Sequence, residues 1–404
     1  MPRKPYQISP LIQNALFKDT EREFGYKINN YKRYNDLSKD IESRCHSYLS
    51  PKTLSRVFPS GKNYSCSKQT LDVLSIYCGY SDVETYSKLY TREEVRITKE
   101  EFKILREIYD NKNYPEPLVY RDPVLFSISK IIVSKLREST SDYLDMVNEY
   151  SDNPIAQGYF IEQSIDYDNL AIHYHSAIKT YLMHKSDDEA QVFGNTILYL
   201  NAFLIENAKQ CHHYYNKVMT LGFNRDIHPF VIGRYYSTVL LHKKHFFKED
   251  ISPIIFEIMK IEKNLKKKGR VYMKFPGFHF MVCDSLIKCG EYSFADSLLD
   301  NAFNDYPDGH SDVDDGYYEA LYLFKAICSH ALGNSFERDK YYKLCKQNPF
   351  NFLSQKYYSI QLKILELHLP HKKIAKNQTL KDLEVLIHHT KFSYFQSVLN
   401  KWTR

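Results

Sequence analysis

The chain has 404 residues, of which 43% are hydrophobic and 26% are charged, so it can bury a substantial core in two or three domains. Only 13 glycines and 15 prolines are present, which argues against a many-stranded β architecture with many tight turns. No apolar run reaches the roughly 18 residues of a membrane-spanning helix, and no apolar signal-peptide core follows the basic N-terminus. The eight cysteines are scattered without a C-x-x-C pair, which favours reduced thiols over disulfides or a zinc ribbon. The sequence therefore predicts a cytoplasmic protein.

Nearly all of the excess positive charge lies in the first quarter of the chain. Residues 1–90 hold 14 Lys and Arg against 9 Asp and Glu, whereas residues 91–404 hold 41 against 40. Between Ser43 and Leu71 there is no acid, and the five basic residues there are Arg44, Lys52, Arg56, Lys62 and Lys68. A basic patch in an otherwise balanced chain indicates a polyanion partner, and a basic solvated surface is the alternative.

Apolar residues in this quarter recur at helical spacing over short segments. The pattern predicts a helix over Leu11–Glu23 and four more, with apolar positions Leu37/Ile41/Cys45, Leu54/Val57/Phe58, Leu71/Leu74/Cys78 and Val83/Tyr86/Leu89. Helices this short are not stable alone, so we expect them to pack as a compact bundle.

The helix that follows Ser50 has two different sides. Ser50 caps it, and its first turn lacks the acid that a helix dipole would favour. At about 100° per residue, Leu54 and Val57 share one side, and Lys52 and Arg56 share the other. A helix with such a basic outer side can lie in the major groove of DNA.

The string LSPKTLSRVF…SKQTLDVLSIYCGYSDVETY resembles small bacterial helix-turn-helix modules, in which S-x-x-T-L-x-R-x-F is followed by S-x-x-T-L-D-x-L-x-x-Y-x-G-Y. The resemblance implies a first helix over 37–44, a turn over 46–49 and a recognition helix over 50–58. It implies DNA contacts from Ser50, Lys52, Thr53, Ser55 and Arg56, to which the basic patch adds Arg44, Lys62 and Lys68.

Two alternatives stay open for the N-terminal quarter. CGYSDVETYSKLY also resembles the end of an AraC-type domain, which would make Ser81–Leu89 the recognition helix. Asp82 and Glu84 would repel phosphate there, so we prefer the first placement. The bundle could instead bind another protein.

Residues 91–120 are charged and end in a proline pair, so they are predicted to form a connector with one helix near Lys99–Tyr109. Beyond residue 121 the pattern is helix after helix. Paired helices are predicted over Asp166–Lys185, Asp187–Asn207, Ala208–Leu221, Pro229–Phe247 and Pro253–Lys268.

One unit of this region, CDSLIKCGEYSFADSLLDNAFNDYP, resembles a tetratricopeptide repeat. The residues that carry the resemblance are Gly290, Tyr292, Ala295, Leu299, Ala302 and Pro307. A second, degenerate copy aligns Gly333 with Gly290. The resemblance implies an irregular solenoid with a concave surface for peptides or protein partners.

The sequence does not match the common motifs of enzymes and metal sites. The acidic stretch DGHSDVDDG does not fit the calcium-loop register, and no zinc-protease, nucleophile-elbow, Walker or dinucleotide motif occurs. The sequence therefore predicts no enzyme activity, no metal site and no cofactor.

Together these features predict an all-α protein with a helix-turn-helix domain (1–90), a connector (91–120) and a TPR-like α-solenoid (121–404). Its architecture is similar to that of peptide-responsive regulators of the Rgg/PlcR type. The predicted function is a transcriptional regulator that binds double-stranded DNA as a homodimer, with a helical domain that senses a peptide or protein ligand or dimerises. The alternative is a scaffold or adaptor whose solenoid binds a protein or peptide.

Overall fold

The computed structural model describes residues 8, 10–24, 26–58, 66–91, 99–110, 122–222, 227–267, 277–305, 317–369 and 373–402. All regular structure in these ranges is helical and no strand occurs in them, so the all-α prediction is confirmed. The chain divides into two compact units, Met1–Arg96 and Ile97–Arg404. Of the predicted site residues, Lys62 and Pro307 lie outside the described ranges.

The first unit is a bundle of five short helices. They are α1 (Pro10–Phe24), α2 (Tyr31–Cys45), α3 (Pro51–Val57), α4 (Lys68–Tyr77) and α5 (Val83–Thr91).

The core of the first unit is made by the apolar positions that the periodicity predicts. Leu37, Leu54, Leu71 and Val83, one from each of α2 to α5, are fully buried in one cluster, together with Leu16 of α1. None of these helices is long enough to be stable alone, so this shared burial is what holds them in place.

The second unit contains the remaining helices. They are α6 (Lys99–Asp110), α7 (Pro123–Leu136), α8 (Thr140–Glu149), α9 (Pro154–Gln157), α10 (His175–His184), α11 (Asp188–Leu204), α12 (Ala208–Leu221), α13 (Pro229–His242), α14 (Ser252–Lys267), α15 (Gly277–Cys289), α16 (Tyr292–Asp305), α17 (Tyr317–Ala331), α18 (Ser335–Cys345), α19 (Gln355–His368), α20 (Lys373–Thr390) and α21 (Ser393–Trp402). Three π-helical turns, 158–162, 170–174 and 243–247, continue or precede these helices.

The helix predicted inside the connector, α6, packs within the second unit. Phe102 and Tyr109 are buried in that unit's core. Arg106 binds the Asp152 carboxylate with its guanidinium, at 2.9 Å from both oxygens. Residues 99–110 are therefore part of a folded body and not only a linker.

From α11 to α20 the helices pack in sequential pairs, which we call hairpins: α11/α12, α13/α14, α15/α16, α17/α18 and α19/α20. The first helix of each hairpin also packs against the first helix of the next, and we call these first helices the inner row. This order is what the TPR-like prediction expects of a repeat stack.

The two turns that carry the TPR resemblance have the same backbone geometry. Gly290 and Gly333 both have a positive φ, of 79° and 77°, where a side chain would be strained. In each turn the amide of the residue after the glycine bonds back to the preceding helix, Glu291 to Leu286 at 2.9 Å and Asn334 to Ser329 at 2.8 Å. Both hairpins therefore turn through the same C-terminal cap.

The predicted repeat residues of α16 pack as the motif requires. Ala295, Leu299 and Ala302 are fully buried, and Tyr292, which begins the helix, is half-buried. The small alanines admit neighbouring helices at close range, which explains their spacing.

No described helix is long and apolar enough to cross a membrane. All eight cysteines are free thiols, as their scatter predicted, and six of them are buried.

Candidate nucleic-acid interface and the inner face of the helical repeats

The connection from α2 to α3 is a tight, fixed turn. Helix α2 ends at His46, whose φ of 50° places it in the left-handed region. The buried hydroxyl of Ser38 donates to the carbonyl of Leu49 at 2.7 Å, which ties the turn back onto α2. Leu54 and Val57 then anchor α3 in the core. The two helices are therefore held at a defined angle, as a helix-turn-helix prediction requires.

The first turn of α3 is satisfied from within the chain. The Ser50 side chain accepts a hydrogen bond from the Thr53 amide at 3.1 Å, and the two hydroxyls lie 2.9 Å apart. Helix α4 begins in the same way, with Ser67 and Thr70 in the same roles at 3.2 Å and 2.9 Å. The hydroxyls of Ser50 and Thr53 therefore cap the helix, and the S-x-x-T pattern explains how the helix begins without an acid.

The outer face of α3 presents two cations. Lys52 and Arg56 are exposed and have no ion-pair partner within the described residues. Between them, the Ser55 hydroxyl donates to the Lys52 carbonyl at 3.0 Å, so Ser55 is already engaged by its own helix. An exposed, unpaired cation can bind an external anion without first losing an internal partner.

The other described cations of the basic patch are paired with acids. Arg44 lies 3.0 Å from Asp40 and 3.2 Å from Glu23, with its guanidinium over the Tyr77 ring at 5.4 Å. Lys68 lies 2.5 Å from Glu84. These two cations would have to exchange a protein carboxylate for a phosphate, so they are less available to an external anion than Lys52 and Arg56 are.

The alternative recognition helix, α5, is surrounded by acids with structural roles. Asp72 accepts the Val83 amide at 2.9 Å, and Asp82 accepts the Thr85 amide at 2.7 Å, which lowers the pKa of Asp82. Tyr86 is buried and donates to Asp19 at 2.8 Å. A helix whose beginning is held by carboxylates offers phosphate a repulsive approach.

In the second unit, a non-helical stretch fills the space beside the inner row. We call residues 163–169, between two π-helical turns, the internal segment; residues 164–169 are all buried. Its Tyr167 contacts three helices of the inner row. The hydroxyl lies 2.6 Å from Arg234 of α13 and 3.8 Å from the sulfur of Met281 of α15, and the ring stacks on Tyr357 of α19 at 5.3 Å.

Buried ion pairs fix the internal segment. Arg137, which follows α7, donates to both oxygens of Asp166, at 3.0 Å and 2.8 Å, and lies 3.4 Å from Asp168. Asp168 also accepts the Tyr357 amide at 3.0 Å, at the start of α19. Burial raises the pKa of Asp168 to about 6, while the hydrogen bond from the Tyr357 amide and the charge of Arg137 act in the opposite direction and favour the ionised carboxylate.

A second buried network continues from Tyr357. Its hydroxyl donates to Asp284 of α15 at 2.9 Å, and Gln361 donates to the same carboxylate at 3.3 Å. Lys288 is hydrogen-bonded to Asp284 as well, and burial lowers the pKa of this lysine. Because each of these polar groups has a partner, the network serves as a rigid connection between α15 and α19.

These contacts bear on the predicted peptide-binding surface. In a repeat stack the inner row lines the concave face, where a peptide would bind. Here Tyr167 of the internal segment contacts one buried residue on each of three inner helices: Arg234 of α13, Met281 of α15 and Tyr357 of α19. A peptide could reach these three residues only by displacing Tyr167. Sequence reasoning missed the segment because its partners lie up to 189 residues away.

No protein-family model, curated protein or solved structure matches this chain.

Proposed function

We propose that the chain is a transcriptional regulator that binds double-stranded DNA through α3 and uses its second unit for dimerisation or for sensing a ligand. The observation that carries the proposal is the pair of exposed cations without an ion-pair partner in the described ranges, Lys52 and Arg56, on a helix whose opposite side is anchored in the core. Cations at such positions bind phosphates or the edges of bases. That none of the eight cysteines forms a disulfide favours the cytoplasm as its compartment.

The roles within the basic patch follow from the pairing. Lys52 and Arg56 are assigned to DNA, whereas Ser50 and Thr53 act mainly by capping the helix. Arg44 and Lys68 hold acids of the first unit and contribute less to binding. A single short helix has little contact area, so two copies one helical turn apart would be needed for tight binding. We therefore also propose a homodimer.

The test is the salt dependence of binding to a duplex of random sequence. Replacing both Lys52 and Arg56 by alanine should weaken binding at low salt, and should lower the slope of log affinity against log salt by about 0.9 for each phosphate that is no longer neutralised. Lys209→Ala with Lys217→Ala removes the same charge from exposed positions of α12 and should leave the slope unchanged. If both double variants bind equally, α3 is not the DNA-binding helix.

A scaffold function is the second candidate, and a row of exposed phenylalanines favours it. Phe256, Phe294 and Phe336 lie near the beginnings of α14, α16 and α18, and are 62%, 38% and 80% exposed. The second helices of three successive hairpins thus each expose an aromatic ring within their first five residues, and exposed aromatic side chains are enriched at protein-binding surfaces. This candidate predicts a co-purifying protein that is absent from a Phe256→Ser, Phe336→Ser variant and retained after deletion of the first unit.

A further inference from the structure

Three ligand-type side chains converge at one end of α14, α15 and α16. They are Glu262, His279 and Asp305, and one donor atom of each lies within 4.8 Å of the others. Glu262 and His279 are buried, at 7% and 6% exposure, and Asp305 is half-buried at the end of its helix. Three consecutive helices of the stack therefore each contribute one group to the same small volume.

The internal contacts of this cluster leave part of the imidazole unsatisfied. His279 Nε2 lies 2.9 Å from Glu262 Oε1, and the Asn301 amide donates to the same oxygen at 3.0 Å. His279 Nδ1 is buried without a hydrogen-bond partner in the described structure. Nε2 is the ring nitrogen that lies against the Glu262 carboxylate, so it is the donor atom that the imidazole offers to the cluster.

We propose that Glu262, His279 and Asp305 bind one divalent transition-metal ion, of the kind represented by Zn²⁺. Donors around a tetrahedral ion at about 2.0–2.1 Å are about 3.4 Å apart, so the 2.9 Å between Glu262 and His279 is already close to a coordination edge. The three donor atoms lie within 4.8 Å of one another, so a side-chain movement of up to about 1.5 Å brings them to the spacing of a coordination edge. Asp305 can make that rotation because it lies at the helix end and is only half-buried.

The donor set selects the class of ion. One imidazole nitrogen and two carboxylate oxygens suit Zn²⁺, Mn²⁺ or Fe²⁺, whereas a thiolate-preferring ion such as Cu⁺ lacks a ligand here. Three protein ligands leave a position for water. The ion takes the place of the imidazole–carboxylate hydrogen bond and joins α14, α15 and α16. Its binding therefore stabilises the folded second unit.

The test uses the full chain after metal removal and titrates it with ZnCl₂ by calorimetry, with Co²⁺ absorption as an independent readout of coordination. We expect one saturable site at micromolar or tighter affinity and a rise in Tm of several degrees. His279→Gln should lower the affinity at least tenfold. His330→Gln, a histidine outside the cluster, is the matched control and should bind as the unmodified chain does.

Asp305→Asn provides a second variant at a half-buried position and keeps the size of the side chain, and it should also lower the affinity at least tenfold. Absence of a saturable site below 100 micromolar Zn²⁺, or unchanged affinity in Asp305→Asn and His279→Gln, would overturn the proposal. In that case the cluster is a buried imidazole–carboxylate pair only. The readouts do not involve DNA, so this result is independent of the proposed function.

Discussion

Replacing Asp166 by alanine should destabilise the second unit far more than removing an exposed acid. Asp166 is fully buried, and its carboxylate receives two hydrogen bonds from Arg137 and two from Asn169, at 2.8–3.2 Å. Alanine leaves the charge of the buried Arg137 opposite only the more distant carboxylate of Asp168, at 3.4 Å. Breaking one side of a buried ion pair costs about 3–5 kcal/mol, and the unsatisfied Asn169 amide adds to that cost.

We take about 4 kcal/mol as the expected loss, which corresponds to a fall in Tm of about 6 °C for a unit of roughly 300 residues. The assay is thermal and urea unfolding followed by the fluorescence of Trp402, the only tryptophan, which lies in α21 of the second unit. The control is Glu249→Ala, which removes a 2.6 Å pair with Lys243 but at a carboxylate that is 46% exposed. An exposed pair contributes about 1 kcal/mol or less.

A double variant separates the charge effect from the loss of packing. Combining Arg137→Met with Asp166→Ala removes the uncompensated charge. The stability lost by the double variant should therefore be about 2 kcal/mol smaller than the sum of the losses of the two single variants. If Asp166→Ala is no more destabilising than Glu249→Ala, or if the two losses simply add, the internal segment is not held by this ion pair and the reasoning is wrong.

Two further predictions concern packing and pH. Gly233→Ala should destabilise the chain by about 1–2 kcal/mol, because the new Cβ would lie 2.9 Å from the Phe278 carbonyl oxygen of α15, and this outweighs the better helix propensity of alanine. The control is Gly194→Ala, whose new Cβ meets only the side chain of Leu182, which can move. Urea unfolding should show a smaller loss of stability for Gly194→Ala than for Gly233→Ala. Burial lowers the pKa of His242 to about 4, below its value of about 6.5 in the unfolded chain, so its stability contribution is present above pH 6.5 and is lost as the pH falls towards 4. His242→Phe should therefore reduce the stability lost between pH 7.5 and pH 4 by about 3 kcal/mol, and an unchanged pH dependence would contradict the assignment.

The elements of the first unit could be predicted because their cause is local. Each short helix begins at a capping residue and repeats its apolar residues at helical spacing, and Leu37, Leu54 and Leu71 are buried as that spacing requires. The S-x-x-T pattern that begins α3 and α4 is also a local signal. What remains a prediction is that the outer side of α3 binds DNA.

The pairing of cations in the basic patch could not be predicted, because it depends on residues far apart in sequence. Arg44 forms an ion pair with Glu23, which lies 21 residues before it, and Lys68 forms one with Glu84, which lies 16 residues after it. The sequence places five cations in one acid-free stretch, and in the folded chain acids from outside that stretch form ion pairs with two of them. A count of charge along the chain therefore overstates how many cations an external anion can use.

The helix predicted over Asp166–Lys185 is present from Leu170 onward, and only its predicted start was wrong, for a related reason. Residues 166–169 have no helical structure, and the helical turn begins at Leu170. The side chains of Asp166 and Asp168 are held by Arg137, and the backbone amide of Asp168 bonds to the Leu353 carbonyl at 3.1 Å. These distant contacts replace the hydrogen bonds that a local helix would have formed.

The contacts of the internal segment with the inner row affect where a ligand could bind the second unit. Displacing the internal segment would break the Arg137 pairs and expose Tyr167, at a cost of several kcal/mol that a peptide ligand would have to offset before it gained any affinity. A ligand that binds the outer ends of the hairpins meets no such cost. The cluster of Glu262, His279 and Asp305 lies at such an end, and links three consecutive helices. If the second unit senses a ligand, the lower cost of binding at the hairpin ends therefore favours these ends over the inner row.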